Sequence, residues 1–82
     1  SQNYPNPFNP ETTMNYSIPT NQDVIIKVFD QLGRQIDEIV NSYHSAGTYS
    51  IIYNAEHLSS GIYFYALISK EKTLTRKFIL IK

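Results

Sequence analysis

The stretch Gly61-Ile62-Tyr63-Phe64-Tyr65-Ala66-Leu67-Ile68-Ser69 decides the reading of this chain. It is the longest run of β-branched and aromatic residues, the types that suit a pleated, half-buried surface. Alternation places Tyr63, Tyr65 and Leu67 on one face and Ile62, Phe64, Ala66 and Ile68 on the other. Both faces are largely apolar, which predicts a central strand covered on one side and partly covered on the other. Ser60-Gly61 ahead of it is a turn signal, because Gly reaches backbone angles closed to Ser or Ile. Such a strand needs neighbours with one apolar face each.

The flanking sequence supplies them. Met14, Tyr16 and Ile18 alternate with Asn15 and Ser17 and end at Pro19, a half-buried strand. Asp23 to Asp30 reads as a second strand, with Val24, Ile26 and Val28 facing the core. Asp30-Gln31-Leu32-Gly33-Arg34 is a tight hairpin in which Asp30 caps the turn and Gly33 supplies positive φ. Arg34 to Val40 is the return strand, although Ile36, Ile39 and Val40 are also spaced like one helical turn. Asn41 to Ala46 is a polar loop carrying His44. Tyr49, Ile51 and Tyr53 alternate in the next strand, which opens at Gly47. Ala55 to Ser60 is a loop anchored by Leu58, with His57 beside it. Lys70-Glu71-Lys72 turns the chain into a final strand, Thr73 to Lys82, with Phe78 and Leu80 on one face. Six to seven short strands without a convincing helix predict an all-β, immunoglobulin-like antiparallel β-sandwich.

Ser1 to Thr13 differs in composition. Tyr4-Pro5, Asn6-Pro7 and Asn9-Pro10 favour extended or turn conformations. A strap pinned over the domain by Tyr4 and Phe8 is expected, ahead of a sandwich formed by residues 14–82. With 82 residues the chain is one small domain, and it opens at Ser1 like a piece of a longer protein. Asn15-Tyr16-Ser17 matches a glycosylation acceptor, a short pattern that arises often by chance.

Charge and chemistry exclude several classes. Seven basic and seven acidic residues give zero formal net charge, so the whole domain is no electrostatic match for nucleic acid. The distribution is uneven: from Lys70 onward stand Lys70, Lys72, Arg76, Lys77 and Lys82 against Glu71 alone. That basic end is either a solvated edge that blocks strand pairing or part of a recognition surface. No apolar run approaches the roughly 20 residues of a membrane span, so no membrane insertion is expected. The absence of cysteine removes disulfides, thiolate metal sites and Cys nucleophiles. His44 and His57 have no accompanying ligand pattern and read as surface histidines. No nucleophile elbow or phosphate loop occurs, and the acids are dispersed. No catalytic residue, metal or cofactor is therefore expected. Five of the seven tyrosines, Tyr16, Tyr49, Tyr53, Tyr63 and Tyr65, fall on core-facing positions, which argues against an exposed aromatic platform for sugars.

Five motifs stand in order along the chain: Gln2-Asn3-Tyr4-Pro5-Asn6-Pro7-Phe8-Asn9-Pro10-Glu11-Thr12; Phe29-Asp30-Gln31-Leu32-Gly33-Arg34; Ala46-Gly47-Thr48-Tyr49; Ser60-Gly61-Ile62-Tyr63-Phe64-Tyr65; and Thr75-Arg76-Lys77-Phe78-Ile79-Leu80-Ile81-Lys82. Together they resemble the type A C-terminal sorting domain of the type IX (Por) secretion system over essentially the whole chain. Two departures are visible. Tyr53-Asn54 stands where Trp-Asp is frequent in the family, and Ala66 stands where a basic residue is common.

The resemblance implies a non-catalytic secretion signal at the C-terminus of a cargo protein. It implies passage through the periplasm, recognition by an outer-membrane translocon, in many members removal by a sortase-like protease and in others retention, and a cell-surface or extracellular destination. Arg76, Lys77 and Lys82 are the candidate recognition contacts, with Gly47, Tyr49, Gly61 and Tyr63 as further candidates that shape the scaffold. The competing reading is a small adhesion or carbohydrate-binding module appended to a secreted enzyme, since fold alone does not decide function.

Overall fold

The structure is a computed structural model that describes residues 11–81. The expected strap residues Tyr4 and Phe8, and Lys82, lie outside the described residues. Six strands follow in order: β1 (Glu11–Ile18), β2 (Gln22–Phe29), β3 (Gln35–His44), β4 (Gly47–Asn54), β5 (Gly61–Ser69) and β6 (Thr73–Leu80). They form two antiparallel sheets, β1-β4 and β3-β2-β5-β6. The all-β sandwich predicted from alternation is present. β5 lies between β2 and β6, the place for a strand that is apolar on both faces.

The core forms where the sheets face each other. Met14, Val28, Tyr53, Ala55, Tyr63 and Leu80 share one buried cluster. Ile18, Val24, Ile26 and Leu67 share a second. Met14, Val24, Ile26 and Val28 are fully enclosed, and each such side chain stabilises the fold by about 1.5–3 kcal/mol relative to exposure. The opposite face of the larger sheet carries Ile25, Phe29, Ile62, Phe64 and Ile68, all half-buried.

The hairpin from β2 to β3 forms as its residues dictate. Gly33 has φ +84° and its N–H donates to the Asp30 carbonyl at 3.0 Å. Asp30 Oδ1 accepts the Leu32 and Arg34 amides, each at 2.9 Å, and Oδ2 accepts Arg34 Nε at 2.7 Å. These donors, led by the Arg34 amide, hold the Asp30 carboxyl below the usual carboxylate range.

Two boundaries differ from the sequence reading by three residues or more. β1 begins at Glu11, three residues earlier than expected, because Glu11, Thr12 and Thr13 pair with Asn54, Tyr53 and Ile52 of β4 in turn. β3 continues to His44, so Asn41 to His44 are strand and not loop. Their partners are Ile25 back to Gln22 on β2, whose ladder extends a run that is polar in side chains alone. The helix-like spacing in β3 also has a cause. Lys27 pairs with Glu38 while Ile26 pairs with Val40, and Phe29 pairs with Gln35 while Val28 pairs with Asp37. Ile39 and Ile36 are thus extra residues at two irregularities of the bulge type, which break the period of two and turn both side chains against the core.

Candidate recognition surface

Among the described residues β6 is the edge of the larger sheet and pairs only with β5. Arg76 stands opposite Tyr65 and Lys77 opposite Phe64. Strand alternation therefore sends them to opposite faces: Arg76 lies on the side of the facing sheet, Lys77 on the outer side. Both are exposed, and among the described residues neither has a carboxylate within ion-pair distance; the two pairs present are Arg34–Asp30 and His57–Asp37. The basic residues share an edge strand but not a face.

The other candidates divide by sheet. Gly61 and Tyr63 open β5 and lie beside the end of β6, where the Tyr63 and Phe78 rings stack at 5.6 Å. Gly47 and Tyr49 open β4 in the smaller sheet. The two openings are built alike. Tyr63 Oη donates to the Ser59 carbonyl at 2.7 Å, and Tyr49 Oη donates to the Ser45 carbonyl at 2.5 Å. Each tyrosine thus ties its strand to the backbone four residues upstream, a device comparable to a tyrosine corner. The Tyr63 ring passes 3.8 Å from where a Gly61 side chain would begin, and Gly61 has φ +159°, a conformation that L side chains rarely adopt.

Sequence reasoning missed two polar clusters. Tyr53 Oη donates to Asp37 Oδ2 at 2.9 Å, and His57 Nε2 lies 3.4 Å from both oxygens. Burial, then the hydrogen bond to Asp37 and its charge, push the Tyr53 hydroxyl far above its ordinary pKa. The second cluster joins Tyr16, His44 and Tyr49. His44 is buried, which overturns its reading as a surface histidine. The Ser42 carbonyl stands 3.2 Å from its Nδ1 and the Tyr16 hydroxyl 2.9 Å from its Nε2, so both ring nitrogens are satisfied. The Tyr49 ring sits 4.6 Å away. Burial, then the neighbouring Tyr49, raise the Tyr16 hydroxyl. The spacing of Tyr16 and Tyr49 on inward positions was visible in the sequence; the arrival of His44 depended on the extension of β3.

The five tyrosines expected in the core do not line up as an exposed platform. Tyr53 and Tyr63 are buried, and Tyr16, Tyr49 and Tyr65 are half-buried against the core clusters. A scan against protein-family models matches residues 2–82 to the secretion system C-terminal sorting domain. The chain belongs to this family. Searches of curated proteins and of solved structures return no match. The sorting domain is a C-terminal secretion signal of the type IX system, and its address implies export to the cell surface or the extracellular space with an N-terminally attached cargo. Nothing in the structure favours the adhesion or carbohydrate-binding alternative over that role.

Proposed function

We propose that this sorting domain crosses the periplasm folded, is recognised at the outer-membrane translocon through β6, and is then separated from its cargo by a sortase-like protease. In this reading it catalyses nothing and needs no cofactor. The observation that carries it is the edge position of β6 together with exposed Arg76 and Lys77 that have no acidic partner among the described residues. A free edge offers backbone N–H and C=O groups, and unneutralised cations add selectivity for an acidic partner. Lys82 extends the same charge along the chain. Gly47, Tyr49, Gly61 and Tyr63 serve recognition indirectly, by holding the strand openings in shape.

The test is secretion of a signal-peptide-bearing fluorescent reporter fused ahead of the full chain, in a host with the type IX system. The wild-type fusion should reach the surface or medium. An Arg76→Glu/Lys77→Glu fusion should stay in the periplasm while its domain remains protease-resistant. Export of that variant at the wild-type level would remove the basic edge from the mechanism. Retention of the folded wild-type fusion would remove the sorting reading in that host.

A further inference from the structure

The two sheets are unequal, and the inequality leaves a seat. β4 sits over β3, as the contacts of Tyr53 with Asp37 and of Tyr49 with His44 show. β1 sits over β2 and β5, with Met14 in the cluster of Val28 and Tyr63, and Ile18 in that of Val24 and Leu67. Two strands span about 10 Å and four about 19 Å at the usual spacing. The far end of β6, at Leu80, still reaches the core. Its first half does not: Leu74 is 40% exposed although it stands on the inner face opposite Leu67. Beside it a groove of about 300 Å³ runs between β1 and β6, at the lower end of the size of binding clefts.

We propose that this groove accepts one extended strand from a partner protein, laid along the free edge of β1 and over the first half of β6, with apolar and acidic side chains. The inference rests on the sorting reading for the identity of the partner as part of the export machinery, and on the groove for its chemistry. Among the described residues β1 pairs only with β4, so every second residue turns its N–H and C=O toward the groove. Tyr65, Leu67 and Leu74 form an apolar floor, and Lys72 and Arg76 stand along it. Among the described residues no acidic residue lines the groove, and neither cation has a carboxylate partner. Inward positions two apart on β6 place Leu74 and Arg76 about 7 Å from each other. An incoming strand has the same repeat, so successive inward side chains would meet Leu74 and Arg76 in turn. The fitting sequence is therefore an apolar residue and an acid two positions apart. The added strand would complete a third position in the smaller sheet by β-augmentation.

The test is a titration of the isotope-labelled full chain with two synthetic eight-residue peptides, followed through amide chemical shifts. One peptide places Leu and Glu alternately on its inward side; the other replaces each Glu with Lys. The acidic peptide should saturate below about 1 mM and move the amides of Asn15 to Ser17 and of Lys72 to Arg76. The basic peptide should bind at least tenfold more weakly, and Arg76→Glu, at an exposed position that keeps the spectrum dispersed, should weaken the acidic peptide by about tenfold. Equal binding of both peptides, shifts centred elsewhere, or no saturation of the acidic peptide overturns the proposal. Binding that emerges only after removal of residues 1–10 assigns the seat to the chain itself and also overturns it. Loss of peptide binding in Arg76→Glu with unchanged reporter export refutes the groove's part in sorting and leaves the sorting reading intact. Failure of the wild-type reporter to leave the periplasm counts against the sorting reading and leaves the peptide result standing.

Discussion

Replacing Tyr53 with Phe removes the hydroxyl that bonds Asp37 and that lies 3.4 Å from His57 Nε2. The ring is 5% exposed and its hydroxyl donates to Asp37 Oδ2 at 2.9 Å. A hydrogen bond to a charged group contributes about 1.5–3 kcal/mol. The Asp37 side chain is 33% exposed, so water takes over the vacated carboxylate site and the cost falls at the lower end, about 1.5 kcal/mol. With an unfolding entropy of about 2.1 cal/mol/K per residue, a chain of this length should melt about 9 °C lower. The pH dependence supplies a second reading. The Tyr53 hydroxyl is raised above its unfolded value of about 10. The stability it contributes is therefore fully present below about pH 10 and is lost as pH rises through the folded pKa. The gap between wild type and Tyr53→Phe should stay constant up to about pH 10 and shrink above it. Urea unfolding at a series of pH values measures both, and a cycle with Asp37→Ala should return a coupling of about 1 kcal/mol. A gap below about 0.5 kcal/mol at neutral pH, or one that persists unchanged into alkali, refutes the assignment of this bond.

Gly61→Ala should cost about 1–2 kcal/mol by denaturant unfolding, because alanine rarely adopts φ +159°; a neutral result would mean that the strand opening relaxes. Met14→Ala, at a fully enclosed position between the sheets, should lose about 3 kcal/mol, read from the same unfolding curves. Asp30→Asn tests the hairpin cap. The lowered Asp30 pKa makes its contribution present above the unfolded value of about 4 and lost as pH falls through the folded one. Wild type and variant should therefore differ in melting temperature above about pH 4 and converge in stronger acid.

Strand identities were legible because each of β1, β2, β4 and β5 alternates cleanly between polar and apolar, or is apolar throughout. The hairpin at Asp30 to Gly33 was legible because a side-chain cap and a glycine act within five residues. β3 was the weak place. Two irregularities disrupt its period, and its polar end, Asn41 to Tyr43, is strand only because β2 supplies the ladder. The same extension carries His44 into contact with Tyr16 and Tyr49, which no local pattern announces. For the candidate recognition surface, the sequence grouped Arg76 with Lys77, yet adjacent positions on a strand face opposite ways.

By itself the sequence determined the all-β class, the core tyrosines and the family, since these rest on local alternation, on turn chemistry and on motifs read in order. Only the tertiary structure decided which strands face each other. It placed Asp37 under Tyr53, it buried His44, and it left Leu74 and Arg76 uncovered beside β1. The physical reason is that pairing partners and sheet widths follow from contacts between residues far apart in the chain, and a local pattern carries no record of them.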